Sequence, residues 1–187
     1  MTQLSAMNSL HRNSIRGALG STLNIDGAVI GGRGNARAVI HENLSELNAK
    51  LGVRLVEGTL NIVLTRPLHL LPDSATTFAG GARLLWPMLI NGMPVWACRW
   101  RHSPLHVLEL LSPIRLRAAL NLSDGDEVVI GVHRSDIAPL SSIARLAWAF
   151  WWRGRREWYY TGDRYKDHAK RWCRYFSATQ QIVSREA

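Results

Sequence analysis

Residues 57–61 read EGTLN. Thr59 and Asn61 carry neutral oxygens two residues apart, at the mouth of the apolar run LNIVL. In an extended chain residues i and i+2 point to one face. The hydroxyl and the carboxamide therefore stand side by side, which suits a hard cation such as Mg²⁺ or a phosphate-bearing ligand. A plainer reading competes: threonine favours the strand and asparagine closes the turn. Upstream, GGRGNAR (31–37) is a glycine-rich turn after an apolar run. Such turns let backbone N–H groups approach phosphate closely, and they serve equally as bulges with positive φ. The segment lacks the spacing and lysine of a P-loop, and no βαβ unit follows for a dinucleotide fingerprint.

Downstream, Glu109 is the one acid in LHVLELLS (105–112). A carboxylate in so apolar a strand can orient or deprotonate a hydroxyl, the alternative being an acid on a solvent face. Arg117, in IRLRAALNL (114–122), offers a guanidinium to phosphate or is an ordinary surface arginine. His102 and His106 are four apart, but Pro104 lies between them on a strand entrance. That context reads as satisfied histidines rather than a zinc pair, which needs a helix for this spacing. Cys98, on an apolar strand, reads as a small core residue.

The elements that must position these groups are short. TLNIDGAVI (22–30) reads as a strand, AVIHE (38–42) as a second, and NLSELNAKLG (43–52) as a short helix with Asn43 as N-cap and Gly52 as stop. GTLNIVL is a strand, and residues 65–82 a long loop. RLLWPMLINGMPVWACRWR holds two strands flanking Asn91-Gly92, the strongest short hairpin signal. LHVLELLS, a short helix after Pro113, the SDGD turn (123–126) and EVVIGV complete a mainly β chain. About six short strands with short helices make a β-barrel the expected fold. From Pro139 the pattern turns helical, with Leu140, Ile143, Leu146, Ala147, Phe150 and Trp151 at helical spacing. The expected division is an arm over 1–20, a barrel over 21–135, and a helical extension over 136–187 laid on it.

Composition bounds the function. The chain has 187 residues and a formal net charge of +9. Residues 1–144 contribute +3 and residues 145–187 contribute +6, and five of the eight tryptophans lie beyond residue 145. This basic, aromatic tail covers the barrel, binds nucleic acid by phosphate contact and stacking, or rests on an anionic membrane surface; the first is favoured. Two distant cysteines give no disulfide framework, no segment reads as a secretory signal, and no run spans a bilayer, so a cytoplasmic, soluble protein is expected.

Taken in order, the motifs resemble the archaeal CTP-dependent riboflavin kinases. The matching residues are Gly32 and Gly34, Leu51-Gly52, Gly58-Thr59-Leu60-Asn61, His102, Glu109, Pro113, Leu116-Arg117 and Asp124-Gly125-Asp126, over about residues 24–132. The resemblance implies a cradle-loop β-barrel that moves the γ-phosphoryl of CTP to riboflavin. It implies Mg²⁺ at Thr59 and Asn61, and nucleotide contacts from Gly32, Arg33, Gly34, Asn35, Ala36 and Arg37 and from Ile114, Arg115, Leu116 and Arg117. It places the acceptor near Glu109, the candidate catalytic carboxylate, with Arg101 standing where the family has a flavin-contacting threonine. Glu57 replaces the family's proline, and Ala36 its third loop glycine. A CTP-dependent kinase of a different acceptor, and a non-catalytic ligand- or nucleic-acid-binding module using the basic tail, are the competing expectations.

Overall fold

A computed structural model describes residues 21–32, 35–101 and 103–172. The expected arm over 1–20, His102 and Cys173 lie outside the described residues, as do Arg33 and Gly34 of the glycine-rich loop.

Among the described residues seven strands form in chain order: β1 (Thr22–Ile30), β2 (Leu60–Leu64), β3 (Thr76–Phe78), β4 (Arg83–Ile90), β5 (Met93–Trp100), β6 (Val107–Leu111) and β7 (Glu127–His133). Every pairing is antiparallel. The order β4-β5-β6-β2-β1-β7 closes where β7 pairs with β4, giving a six-stranded barrel, and β3 adds to β4 outside it. Asn91 and Gly92 both take positive φ, 47° and 80°, and set the β4–β5 register. Period-two alternation decides what fills the barrel. Val29, Ile62, Met88, Ile90, Val95, Ala97, Leu108, Ile130 and Val132 point inward and are fully buried. Arg99 closes one end of this interior. Its guanidinium donates to the carbonyls of Leu68, Leu105 and Val107 at 2.7, 2.7 and 2.8 Å, and burial pulls its pKa down to about 9.

The outer face carries two helical layers. The first is α1 (Asn35–Glu42) and α2 (Leu44–Leu51). Residues 38–42, expected as a strand, are helical because Val39, Ile40, Leu44, Leu47 and Leu51 recur at three-to-four spacing. They bury against Phe78, Leu85, Trp96, Cys98 and Leu111. Asn43 does not cap α2; its amide donates to the Val39 carbonyl at 2.8 Å. Gly52 stops α2 in the left-handed region as expected. The loop expected over 65–82 contains a 3-10 turn, Pro72–Ser74, and β3, where two threonines and a phenylalanine suit pairing with β4. A four-residue helix, α3 (Leu116–Ala119), follows β6.

The second layer is C-terminal: α4 (Ser142–Trp151), α5 (Glu157–Thr161) and a helical stretch over residues 163–172. Trp152 lies at its centre, with ring centroids 5.0 Å from His106, 5.8 Å from Tyr165 and 5.9 Å from Trp172. With Tyr159 and Tyr160 these rings bury against Ile30 and Val107 of the barrel. The apolar spacing of α4 does not mark its packed face. Ala144, Ala147, Trp148 and Trp151 turn inward, whereas Ile143, Leu146 and Phe150 are 54%, 70% and 83% exposed. Burying the larger ring area of the Trp152 cluster fixes that rotation. No helix among the described residues is long and apolar enough to cross a membrane.

Candidate functional site

The site forms on the outer face of β1, β2 and β6, between the two helical layers. In register, Ile30 pairs with Asn61, Asn61 with Glu109, and Glu109 with Cys98. Leu60 and Ile62 point into the core, so Asn61 must point out, and the same alternation turns Glu109 out beside it. Cross-strand neighbours on one face stand about 5 Å apart at Cβ. The carboxamide and the carboxylate, 48 positions apart in the chain, are thus brought together.

Around them is a cleft of about 430 Å³, lined by Gly31, Gly32, Arg37, Gly58, Thr59, Asn61, Arg83, Trp100, Glu109 and Tyr160 among others. That is ample for a small-molecule ligand. A second cleft, about 320 Å³, is lined by Val56, Glu57, Gly58, Thr59, Ile114, Arg115, Leu116 and Arg117 among others. The two share Gly58 and Thr59. Gly58 has φ 107°, a value L side chains rarely adopt, so glycine alone makes this bend without strain.

Two groups set the electrostatics. The Glu109 carboxylate accepts from Arg83 Nη1 at 3.0 Å, both side chains being mostly buried, and the Arg83 guanidinium lies 5.6 Å from the Trp100 ring. Burial raises the Glu109 pKa above the usual carboxylate value, and Arg83 opposes that rise. Cys98, behind Glu109, has its thiol pushed up to about 12, first by burial and then by the Glu109 charge. It is a buried, unreactive core residue.

The sequence-derived residues fall into groups. Gly32, Arg37, Thr59, Asn61 and Glu109 line the first cleft, and Ile114, Arg115, Leu116 and Arg117 the second. A Cβ on Gly32 would stand 3.2 Å from the Asn61 amide nitrogen, so the glycine loop passes directly over the carboxamide. Asn35 and Ala36 begin α1. Arg37 Nη2 is 3.9 Å from Glu57 Oε2, and His41 Nδ1 is 2.9 Å from Glu57 Oε1, so Glu57 ties the strand mouth to α1. Arg117 is engaged: it donates to the Ile30 carbonyl at 3.0 Å and to Asp124 at 2.6 Å, joining α3, the end of β1 and the SDGD turn. Arg101 is exposed, donates to the Gly81 carbonyl at 3.2 Å, and lines neither cleft. His106 is buried with Nε2 3.0 Å from the Tyr160 hydroxyl. No group of three or more His, Cys, Asp or Glu able to hold a metal occurs among the described residues.

Sequence reasoning missed Arg83, Trp100, Tyr160 and Tyr165 in the first cleft. Arg83 and Trp100 had a signal, since the Asn91-Gly92 turn pairs them in register, eight residues out on either side. The tyrosines had none, because only tertiary packing brings the C-terminal layer to the barrel.

A closed six-stranded barrel with a cleft on its outer face, beside the G-T-L-N mouth of β2, defines the structural class. Residues 29–132 match the family model named for the CTP-dependent riboflavin kinases and described as a domain of unknown function, DUF120; the chain belongs to that family. The chain is 33% identical to a riboflavin kinase of Saccharolobus solfataricus over 132 residues, 60% of this chain and 75% of the relative. It is 28% identical to one of Ignicoccus hospitalis over 137 residues, 64% of this chain and 76% of the relative. With a riboflavin kinase of Methanocella arvoryzae it shares 33% identity over 96 residues, 46% of this chain, and the match spans only 45% of that relative's length.

Proposed function

We propose that this protein is a CTP-dependent riboflavin kinase, making FMN and CDP from riboflavin and CTP. The observation that carries the reading is the meeting of two clefts at Gly58 and Thr59, with Asn61 and Glu109 adjacent. The cleft of Ile114, Arg115, Leu116 and Arg117 takes the nucleotide. The Gly31–Gly32 backbone and Arg37 reach its phosphates where the clefts join, and by sequence the remaining phosphate contacts fall to Arg33, Gly34, Asn35 and Ala36. The acceptor occupies the larger cleft with its reacting hydroxyl towards Glu109.

The donors at the junction, the Thr59 hydroxyl and the Asn61 carboxamide, are neutral oxygens lining one cleft. They fit Mg²⁺ that arrives on nucleotide phosphates, because that ion keeps water and phosphate ligands and needs few from protein. When bound, Mg²⁺ neutralises charge on the β- and γ-phosphates. The chain's own residues orient the reactants. The acceptor hydroxyl oxygen bonds to the γ-phosphorus, the bond to the bridging β–γ oxygen breaks, and CDP departs. Glu109, held by Arg83, takes the hydroxyl proton or aligns it. An anionic acceptor gains no support from Arg101, which points to Gly81. On this reading residues 21–135 form the catalytic barrel and 136–187 its appendage.

Calorimetry with CTP, ATP and riboflavin, each with and without Mg²⁺, tests the assignment of the clefts. Mg²⁺-dependent CTP binding and separate riboflavin binding are expected. Heat from no nucleotide would reduce EGTLN to a well-made turn.

A further inference from the structure

The family match ends at residue 132, yet the larger cleft has a wall from beyond it. We infer that the C-terminal layer completes the acceptor site, with Tyr160 and Tyr165 selecting a flat aromatic acceptor that carries a hydroxylated chain. The inference rests on the riboflavin kinase reading.

Three observations support it. First, the polar side chains of the cleft, Thr59, Asn61, Arg83 and Glu109 of the barrel and Arg37 of α1, all come from within the family match, while Tyr160 and Tyr165 add aromatic surface beside Ile30 and Val107. The site therefore has a hydrogen-bonding end and an apolar aromatic flank. That division matches a ligand with a polyol at one end and a planar ring at the other.

Second, the tyrosines are fixed before any ligand arrives. Their ring centroids are 5.3 Å apart, and the Tyr160 hydroxyl meets the buried His106 Nε2 at 3.0 Å. Trp152 packs on both His106 and Tyr165. A wall held from behind in this way loses little side-chain entropy on binding.

Third, the layer touches the glycine loop itself. A Cβ on Gly31 would come within 2.8 Å of the Thr161 methyl and 3.1 Å of Asp124. The residue after Tyr160 is thus packed on the loop that covers Asn61, so the wall and the loop are positioned together.

The test uses the full chain and measures KM for riboflavin and for CTP separately, with riboflavin binding also followed by quenching of its fluorescence. Tyr160→Leu and Tyr165→Leu each remove a ring. Each should raise the riboflavin KM about tenfold and weaken quenching, with the CTP KM within about twofold of the unaltered protein. Tyr160→Phe keeps the ring and should restore the riboflavin KM. Leucine variants with unchanged riboflavin KM, or with both KM values raised alike, overturn the inference and leave the kinase reading standing. No turnover of riboflavin by the unaltered protein overturns both. Should Tyr160→Leu not fold, Tyr165→Leu gives the same decision.

Discussion

Acidification should unfold this protein partly through one histidine. His106 is 1% exposed, with its Nε2 against Tyr160, its ring on Trp152, and its Nδ1 without a hydrogen-bond partner among the described residues. Burial, helped by the nearby Arg99 guanidinium, depresses its pKa from 6.5 to about 3. The folded chain therefore binds this proton later than the unfolded chain does. Its contribution to stability is full above the unfolded value and is lost as pH falls towards the folded one. At about pH 5 most unfolded chains and about one in a hundred folded ones carry the proton, which removes roughly 2 kcal/mol relative to about pH 8. Other groups titrate in the same window, so the assay compares two proteins. Urea unfolding of the unaltered chain and of His106→Gln, at both pH values, isolates the histidine. The unaltered chain should lose about 2 kcal/mol more than the variant. Equal losses would refute the reasoning.

Three further outcomes follow from the site. Arg83→Met removes the cation that opposes the raised Glu109 pKa, so the acidic limb of the kcat/KM profile should move to higher pH; an unmoved limb would mean Glu109 does not titrate in catalysis. Gly31→Ala should cost about 1–3 kcal/mol in thermal or denaturant unfolding, and Thr161→Ser should recover part of it by removing the methyl that the new Cβ meets; no recovery would argue against that contact. Gly58→Ala should lower stability by about 1–3 kcal/mol through backbone strain alone, since no atom of the described residues lies within 4 Å of the added Cβ.

The barrel was legible where local chemistry and period-two patterning agreed. Asn91-Gly92 announced its hairpin, and the alternation in Leu60–Leu64 and Val107–Leu111 fixed which residues face out. Thr59 and Asn61 both line one cleft, although Thr59 lies just ahead of the strand that the spacing argument assumed. Residues 38–42 misled because Ala38, Val39 and Ile40 suit strands as well as helices, and only contact with Phe78 and Trp96 selects the helix. The rotation of α4 was hidden for a related reason. Its aliphatic stripe is periodic, but the aromatic cluster around Trp152 buries more area and wins. The hairpin register placed Arg83 opposite Trp100, but its ion pair with Glu109 reaches from β4 across β5 to β6, a strand pairing that no local signal announces.

The proposed reaction is phosphoryl transfer across the junction of the two clefts. Its most direct test is chromatographic detection of FMN from riboflavin, Mg²⁺ and CTP, with ATP and GTP in parallel. FMN should form with CTP and fall about a hundredfold or more in Asn61→Ala. No FMN with any nucleotide, or undiminished FMN in Asn61→Ala, would contradict it.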